Sequence, residues 1–143
     1  MEHASPLMTL VDEAMASHPG DPVGSWQRLS TEAPARCGDA AQPELEALLR
    51  GAEHIALGHL DDADGLLALL PAVQSRAVTW PALAMPLARV HAAVALRRGQ
   101  TVVLQDLPPA EQVRAHANAA LARAHRGDIE GARALLEIGR AHV

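Results

Sequence analysis

The stretch Pro43 to Gln74, PELEALLRGAEHIALGHLDDADGLLALLPAVQ, leaves few folds open. Leu45, Leu48, Leu49, Ala52 and Ala56 stand at i, i+3, i+4, i+7 and i+11, one stripe of an α-helix. Period-2 alternation is absent, so no strand competes. Pro43 suits a first helical turn, where a missing N–H costs nothing. Glu44 and Glu46 suit the positive end of the helix dipole. Gly58 supplies backbone freedom at the helix end. Asp61 or Asp62 can cap a second helix, in which Ala63, Leu66, Leu67 and Leu70 repeat the stripe. The stretch therefore predicts a helical hairpin turning at Gly58.

The same punctuation returns at Val113 to Val143. Val113, Ala117, Ala120, Leu121 and Ala124 precede Gly127, Asp128 is a ready cap, and Ile129, Ala132, Leu135, Leu136 and Gly139 follow. Gly58 and Gly127 are 69 residues apart, close to twice the roughly 34-residue period of tetratricopeptide repeats. Gly51 and Ala120 lie seven before the two turn glycines, Ala63 and Ala132 five after, and Leu67 and Leu136 nine after. In this pattern the chain resembles a tetratricopeptide-like helical repeat, in which small residues let paired helices approach and a large apolar residue follows. The usual aromatic positions hold Ala47 and His54 in one unit and His116 and Arg123 in the other. A generic Leu/Ala helical bundle is the alternative.

The rest of the chain fits an all-α reading. Residues 5–17, SPLMTLVDEAMAS, predict a helix capped by Ser5 with Pro6 first, and a stripe of Leu7, Leu10, Val11, Ala14 and Met15. Gly20 ends it. Asp21 and Pro22 open a helix over roughly 22–33 that carries Val23, Trp26 and Leu29. PARCGDAAQ, residues 34–42, predicts a linker. Leu83, Leu87, Val90 and Val94 stand at helical spacing, and Pro86 removes a hydrogen bond inside that run, so a helix either kinks there or, the preferred reading, starts at Pro86 with residues 80–85 as a separate turn. Residues 101–107, TVVLQDL, fit a short irregular helix or an extended segment. Hairpins at about 5–33, 43–74, 80–107 and 109–143 then make one domain of 143 residues. The resemblance implies that they stack as a short right-handed α-solenoid.

Charge bears on partners. The net charge of −5 argues against nucleic acid. It is unevenly spread: residues 1–75 carry 12 acids and 3 Arg, residues 76–143 carry 5 acids and 9 Arg, and Lys is absent. Solvated helix faces explain this, as does a dipolar molecule that pairs with itself or a charged partner. Cys37 is the single cysteine, which excludes an internal disulfide and fits a reducing, cytoplasmic setting. No signal peptide is read in MEHASPLMTL, and no 18-residue apolar run predicts a membrane span.

Chemistry is sparse. His54 and His59 are five apart and His116 and His125 nine apart, spacings that miss a shared α-helical face, so no metal or cofactor is expected. Asp61, Asp62 and Asp64 belong at a helix start. No phosphate-cradling or hydrolase-elbow motif occurs, and Cys37 has no supporting nucleophile pattern. Trp80 and Met85 fit either a loop interface or a core plug. Arg89, Arg97, Arg114 and Arg123 could form the basic end of a groove, with Glu46, Glu53 and His54 at the other end. Gly58, Ala63, Trp80, Pro81, Ala82, Leu83, Pro86 and Gly99 also make the chain similar to the bacterial needle-subunit chaperones of type III secretion. The resemblances imply a non-enzymatic interaction module or small chaperone that holds a helix or extended peptide of another protein in a concave groove. A structural homo-oligomer, a regulatory subunit of transcription or secretion, and a small enzyme are the rival classes.

Overall fold

The computed structural model describes residues 5–98, 108–125 and 127–141. Among these residues the chain is all-α. The helices are α1 (Pro6–Ser17), α2 (Pro22–Arg36), α3 (Gln42–Glu53), α4 (Ala63–Gln74), α5 (Ala84–Arg97), α6 (Pro109–His125) and α7 (Ile129–Ala141). A π-helical turn, His54–His59, continues α3, and a 3-10 turn, Pro81–Leu83, leads into α5. None of these helices is long and apolar enough to cross a membrane. The fold falls into two compact units, residues 1–87 and 88–143.

In the first unit the starts of helices are set by caps. Ser5 Oγ accepts from the Met8 N–H at 3.1 Å, and Pro6 takes the first position of α1. Asp21 does the same for α2, accepting from the Gly24 N–H at 2.9 Å ahead of Pro22. Such caps contribute about 1 kcal/mol each. Leu7, Leu10, Val11 and Ala14 are buried, as the stripe predicts. So are Leu45, Leu48, Leu49, Ala52 and Ala56. α1 packs on α2 and α3, and α2 packs on α4. Each fully buried leucine, such as Leu10, Leu29, Leu48 and Leu66, contributes about 1.5–3 kcal/mol.

Several expectations are corrected in this unit. α2 runs on through Pro34 to Arg36, so the linker is shorter than 34–42. Ala33, Cys37 and Ala40 are buried, and their packing outweighs the hydrogen bond lost at the exposed Pro34. Val23 is 63% exposed, while Trp26 and Leu29 are buried. The buried stripe of α4 is Leu66, Leu69, Leu70 and Val73, which leaves Leu67 and Ala63 half-buried. Gly58 is not the turn: it sits inside the π turn, and the positive φ falls on Asp61, at 55°. α5 starts two residues ahead of Pro86, which places Pro86 in its first turn.

The second unit contains most of α5 with α6 and α7. Val90 and Val94 are buried here, as are Leu83 and Leu87 at the end of the first unit, all as their spacing predicts. α6 packs on α7. Gly127 adopts φ 85°, the left-handed conformation expected of a turn glycine. Asp128 caps α7 through the Gly131 N–H at 2.9 Å. Ala120 of α6 and Ala132 of α7 are buried. Of the larger members of the expected stripe, Leu121, Ile129 and Leu136 are exposed and Val113 is half-buried. Gly99, residues 101–107 and Arg126 lie outside the described residues, as do the side chains of Arg123, Leu135 and Gly139.

Gly51 shows how tightly α3 meets α1. It is buried, and a Cβ added there would lie 3.4 Å from Met15 Sδ and 3.6 Å from Val11 Cγ1. The small residue thus serves the contact with α1. Gly51→Ala fits this space and should gain up to about 1 kcal/mol from helix propensity. Gly51→Leu should lose about 1–3 kcal/mol through overpacking. Urea denaturation of both variants checks the opposite signs.

Candidate metal centre

The C-terminal end of α1 brings the first ligand. His18 closes the helix through its N–H to the Ala14 carbonyl at 2.9 Å, and it is buried. Its Nδ1 stands 2.8 Å from the Met15 carbonyl oxygen. A carbonyl only accepts, so Nδ1 carries a hydrogen, and in the neutral ring Nε2 is the nitrogen with the lone pair. That is the tautomer a metal ligand needs, fixed by the backbone bond typical of metal-bound histidines.

The π turn brings the other two. An α-helix sets residues five apart about 140° around its axis. A π turn accommodates one residue more and sets i+5 above i. His54 and His59 therefore share a face here, against the expectation from α-helical spacing. The turn closes with the Leu60 N–H on the Ile55 carbonyl at 3.2 Å and the Asp62 N–H on the Ala56 carbonyl at 2.8 Å. Its cause is packing on both sides. Ile55, Ala56 and Leu57 are buried and continue the inward stripe of α3. Asp62 is held in place by the Trp26 indole, whose Nε1–H donates to Oδ2 at 2.8 Å, while Oδ1 accepts from the Gly65 N–H at 2.9 Å. The extra residue between these anchors is absorbed as the wide turn and the left-handed Asp61.

The three imidazoles converge. Their ring centroids are 5.0 Å apart for His18 with His54, 5.0 Å for His18 with His59 and 5.1 Å for His54 with His59, all edge-on. One nitrogen from each lies within 4.8 Å of the others. His54 Nε2 and His18 Nε2 are 3.2 Å apart. A tetrahedral ion with Zn–N bonds of about 2.0–2.1 Å places neighbouring ligand nitrogens roughly 3.3 Å apart. Desolvation pushes the His54 pKa down, and the neighbouring His18 and His59 push it further the same way. His54 reaches the surface, yet its ring is edge-on to both neighbours, and these surroundings favour its neutral, ligating form.

Of the arginines expected to line a groove, Arg89, Arg97 and Arg114 have described side chains. Arg89 forks onto Glu111, Nε and Nη2 each 2.8 Å from a carboxylate oxygen, and this hydrogen bonding holds the Glu111 carboxyl below its usual range. Arg114 is exposed and Arg97 half-buried. Trp80 and Met85 are both half-buried. Burial pushes the Cys37 thiol up, and its Sγ donates to the Ala33 carbonyl at 3.3 Å, an arrangement unsuited to a nucleophile. A groove of about 580 Å³, which sequence reasoning missed, is lined by Val23, Trp26, Gln27, Leu60, Asp62 and Leu69 among others. The histidine trio was equally hidden, since His18 is 36 residues from His54. The i, i+5 pair is its one local trace. No protein-family model, curated protein or solved structure matches the chain.

The depressed His54 pKa carries a sign. A folded pKa below the unfolded value, about 6.5, gives stability that is present above that value and lost as pH falls through the folded pKa. Chelator-treated protein should therefore lose thermal stability below about pH 6.5, and His54→Gln should lose less over the same range. Melting curves from pH 8 to 5 that run parallel for the two proteins would contradict this.

Proposed function

We propose that the first unit binds a divalent transition metal ion, Zn²⁺ foremost, through His18, His54 and His59. The observation that carries this reading is the 3.2 Å approach of two Nε2 atoms, with the inner one oriented by the Met15 carbonyl. Three neutral nitrogens suit zinc, copper or nickel, whereas Mg²⁺ and Ca²⁺ prefer oxygen. Three protein ligands leave a fourth position for water or a partner's donor. Supporting context comes from backbone geometry: π turns and non-glycine residues at positive φ cluster at functional sites, and both adjoin these histidines.

A second reading, the non-enzymatic interaction module or small chaperone, draws support from the groove beside Trp26. The packing of α1 on α3 and α2 on α4 is what stacked, tetratricopeptide-like hairpins would give. A helix or extended segment of another protein would lie along the apolar walls of Trp26, Leu60 and Leu69. Exposed Leu121, Ile129 and Leu136 support the homo-oligomer alternative. The lone buried Cys37 supports a cytoplasmic setting.

Calorimetric titration with Zn²⁺ tests the metal reading. One site should appear, with none for Mg²⁺ or Ca²⁺. At a hundredfold excess over Kd the ion should add about 2.7 kcal/mol, a rise in Tm on the order of 10 °C. His18→Ala, His54→Ala and His59→Ala should each weaken binding more than about tenfold, the low end of what even an outer-shell partner costs. Absence of binding, or wild-type affinity in all three variants, would refute it.

A further inference from the structure

Resting on the metal reading, we propose that the π turn is a metal-operated switch whose output is the Trp26–Asp62 contact. The ligand pair His54 and His59 shares a face only while residues 54–59 keep the π register. The same register fixes the path of the chain from the turn into α4. The Asp62 N–H is tied to the Ala56 carbonyl at 2.8 Å, across six residues, and the chain reaches it through Asp61 at φ 55°. Asp62 then holds the Trp26 indole at 2.8 Å and caps α4. Trp26, Leu60 and Asp62 line the groove.

Return of residues 54–59 to α-helical bonding would turn His59 away from His54. It would also pass one residue of slack to Asp61 and Asp62. The left-handed Asp61 could relax, and the carboxylate would leave the indole. An ion held by both histidines binds the π register better than the α register, so it shifts the population toward the ordered groove. Gly58 suits a segment with two registers. A Cβ there would meet nothing closer than His54 Nδ1 at 3.9 Å, so packing does not require glycine. Its freedom serves the change of backbone.

The chain has 2 tryptophans, so Trp80→Phe leaves Trp26 as the sole indole reporter. In that protein Zn²⁺ should shift the Trp26 emission, saturating together with the calorimetric isotherm. Amide exchange over residues 55–62 should slow about a hundredfold at a hundredfold excess over Kd. Deleting Gly58 in the same background sets the two histidines four apart, on one face of an ordinary α-helix. That variant should still bind Zn²⁺ but leave Trp26 emission fixed, although the ion sits equally near. Zn²⁺ binding without change in emission or exchange would overturn the switch and leave the metal site standing. An emission change of wild-type size in the deletion variant would overturn it too. No Zn²⁺ binding at all would remove both proposals. Should the deletion variant not fold, amide exchange with and without Zn²⁺ decides alone.

Discussion

One carboxylate organises the first unit. Asp62 caps α4 with Oδ1 and holds the Trp26 indole of α2 with Oδ2. Its backbone N–H ties the exit of the π turn to the Ala56 carbonyl. Three elements therefore depend on one residue for register, and the bonds reinforce one another in partly buried surroundings. Remove this anchor and the segment after α3 loses its reason to be wide. The histidine pair then loses its shared face. The position of the candidate centre is thus set by an acid that ligates nothing.

The core around this anchor has an unusual composition. Phe and Tyr are absent, and the fully buried large side chains are leucines with Ile55. Such a core gains little from aromatic bulk and must gain from close approach. Gly51 against Val11 and Met15, and the buried Ala33, Ala52 and Ala56, are where this happens. Close-packed helices of this kind tolerate little added volume. The wide turn is then the place where a surplus residue can go without disturbing the leucine stripe.

Much of this was legible in the sequence. The stripes of α1, α3 and α5, the caps at Ser5, Asp21 and Asp128 and the left-handed Gly127 follow from local rules. The failures share a cause, which is tertiary packing overriding a local signal. Pro34 reads as a helix stop, but Cys37 and Ala40 are worth more inside than the lost hydrogen bond. Gly58 reads as a turn, but the Trp26–Asp62 bond moves the turn to Asp61. Leu121, Ile129 and Leu136 read as core, yet they are exposed, while among the described side chains of α6 and α7 His116, Ala120 and Ala132 are buried. The histidine trio failed for two compounding reasons. Its i, i+5 spacing fits a π period and not the α period, and its third member comes from another helix.

The energetics of the π turn explain why it could carry regulation. A non-glycine residue held in the left-handed region costs of order 1–3 kcal/mol, and a π turn forgoes α-helical hydrogen-bond geometry. Against this stand the indole–carboxylate bond, about 1.5–3 kcal/mol as a bond to a charged group, and the α4 cap, about 1 kcal/mol. These terms oppose each other within a few kcal/mol, the range in which a ligand can select between two registers. An ion at a hundredfold excess over its Kd adds about 2.7 kcal/mol, comparable with either side. A stiffer turn would gain nothing from the ion, and a looser one would spend the ion's binding energy on ordering itself. That opposition, more than the presence of three imidazoles, is what would let a small free energy of ligation be felt at Trp26.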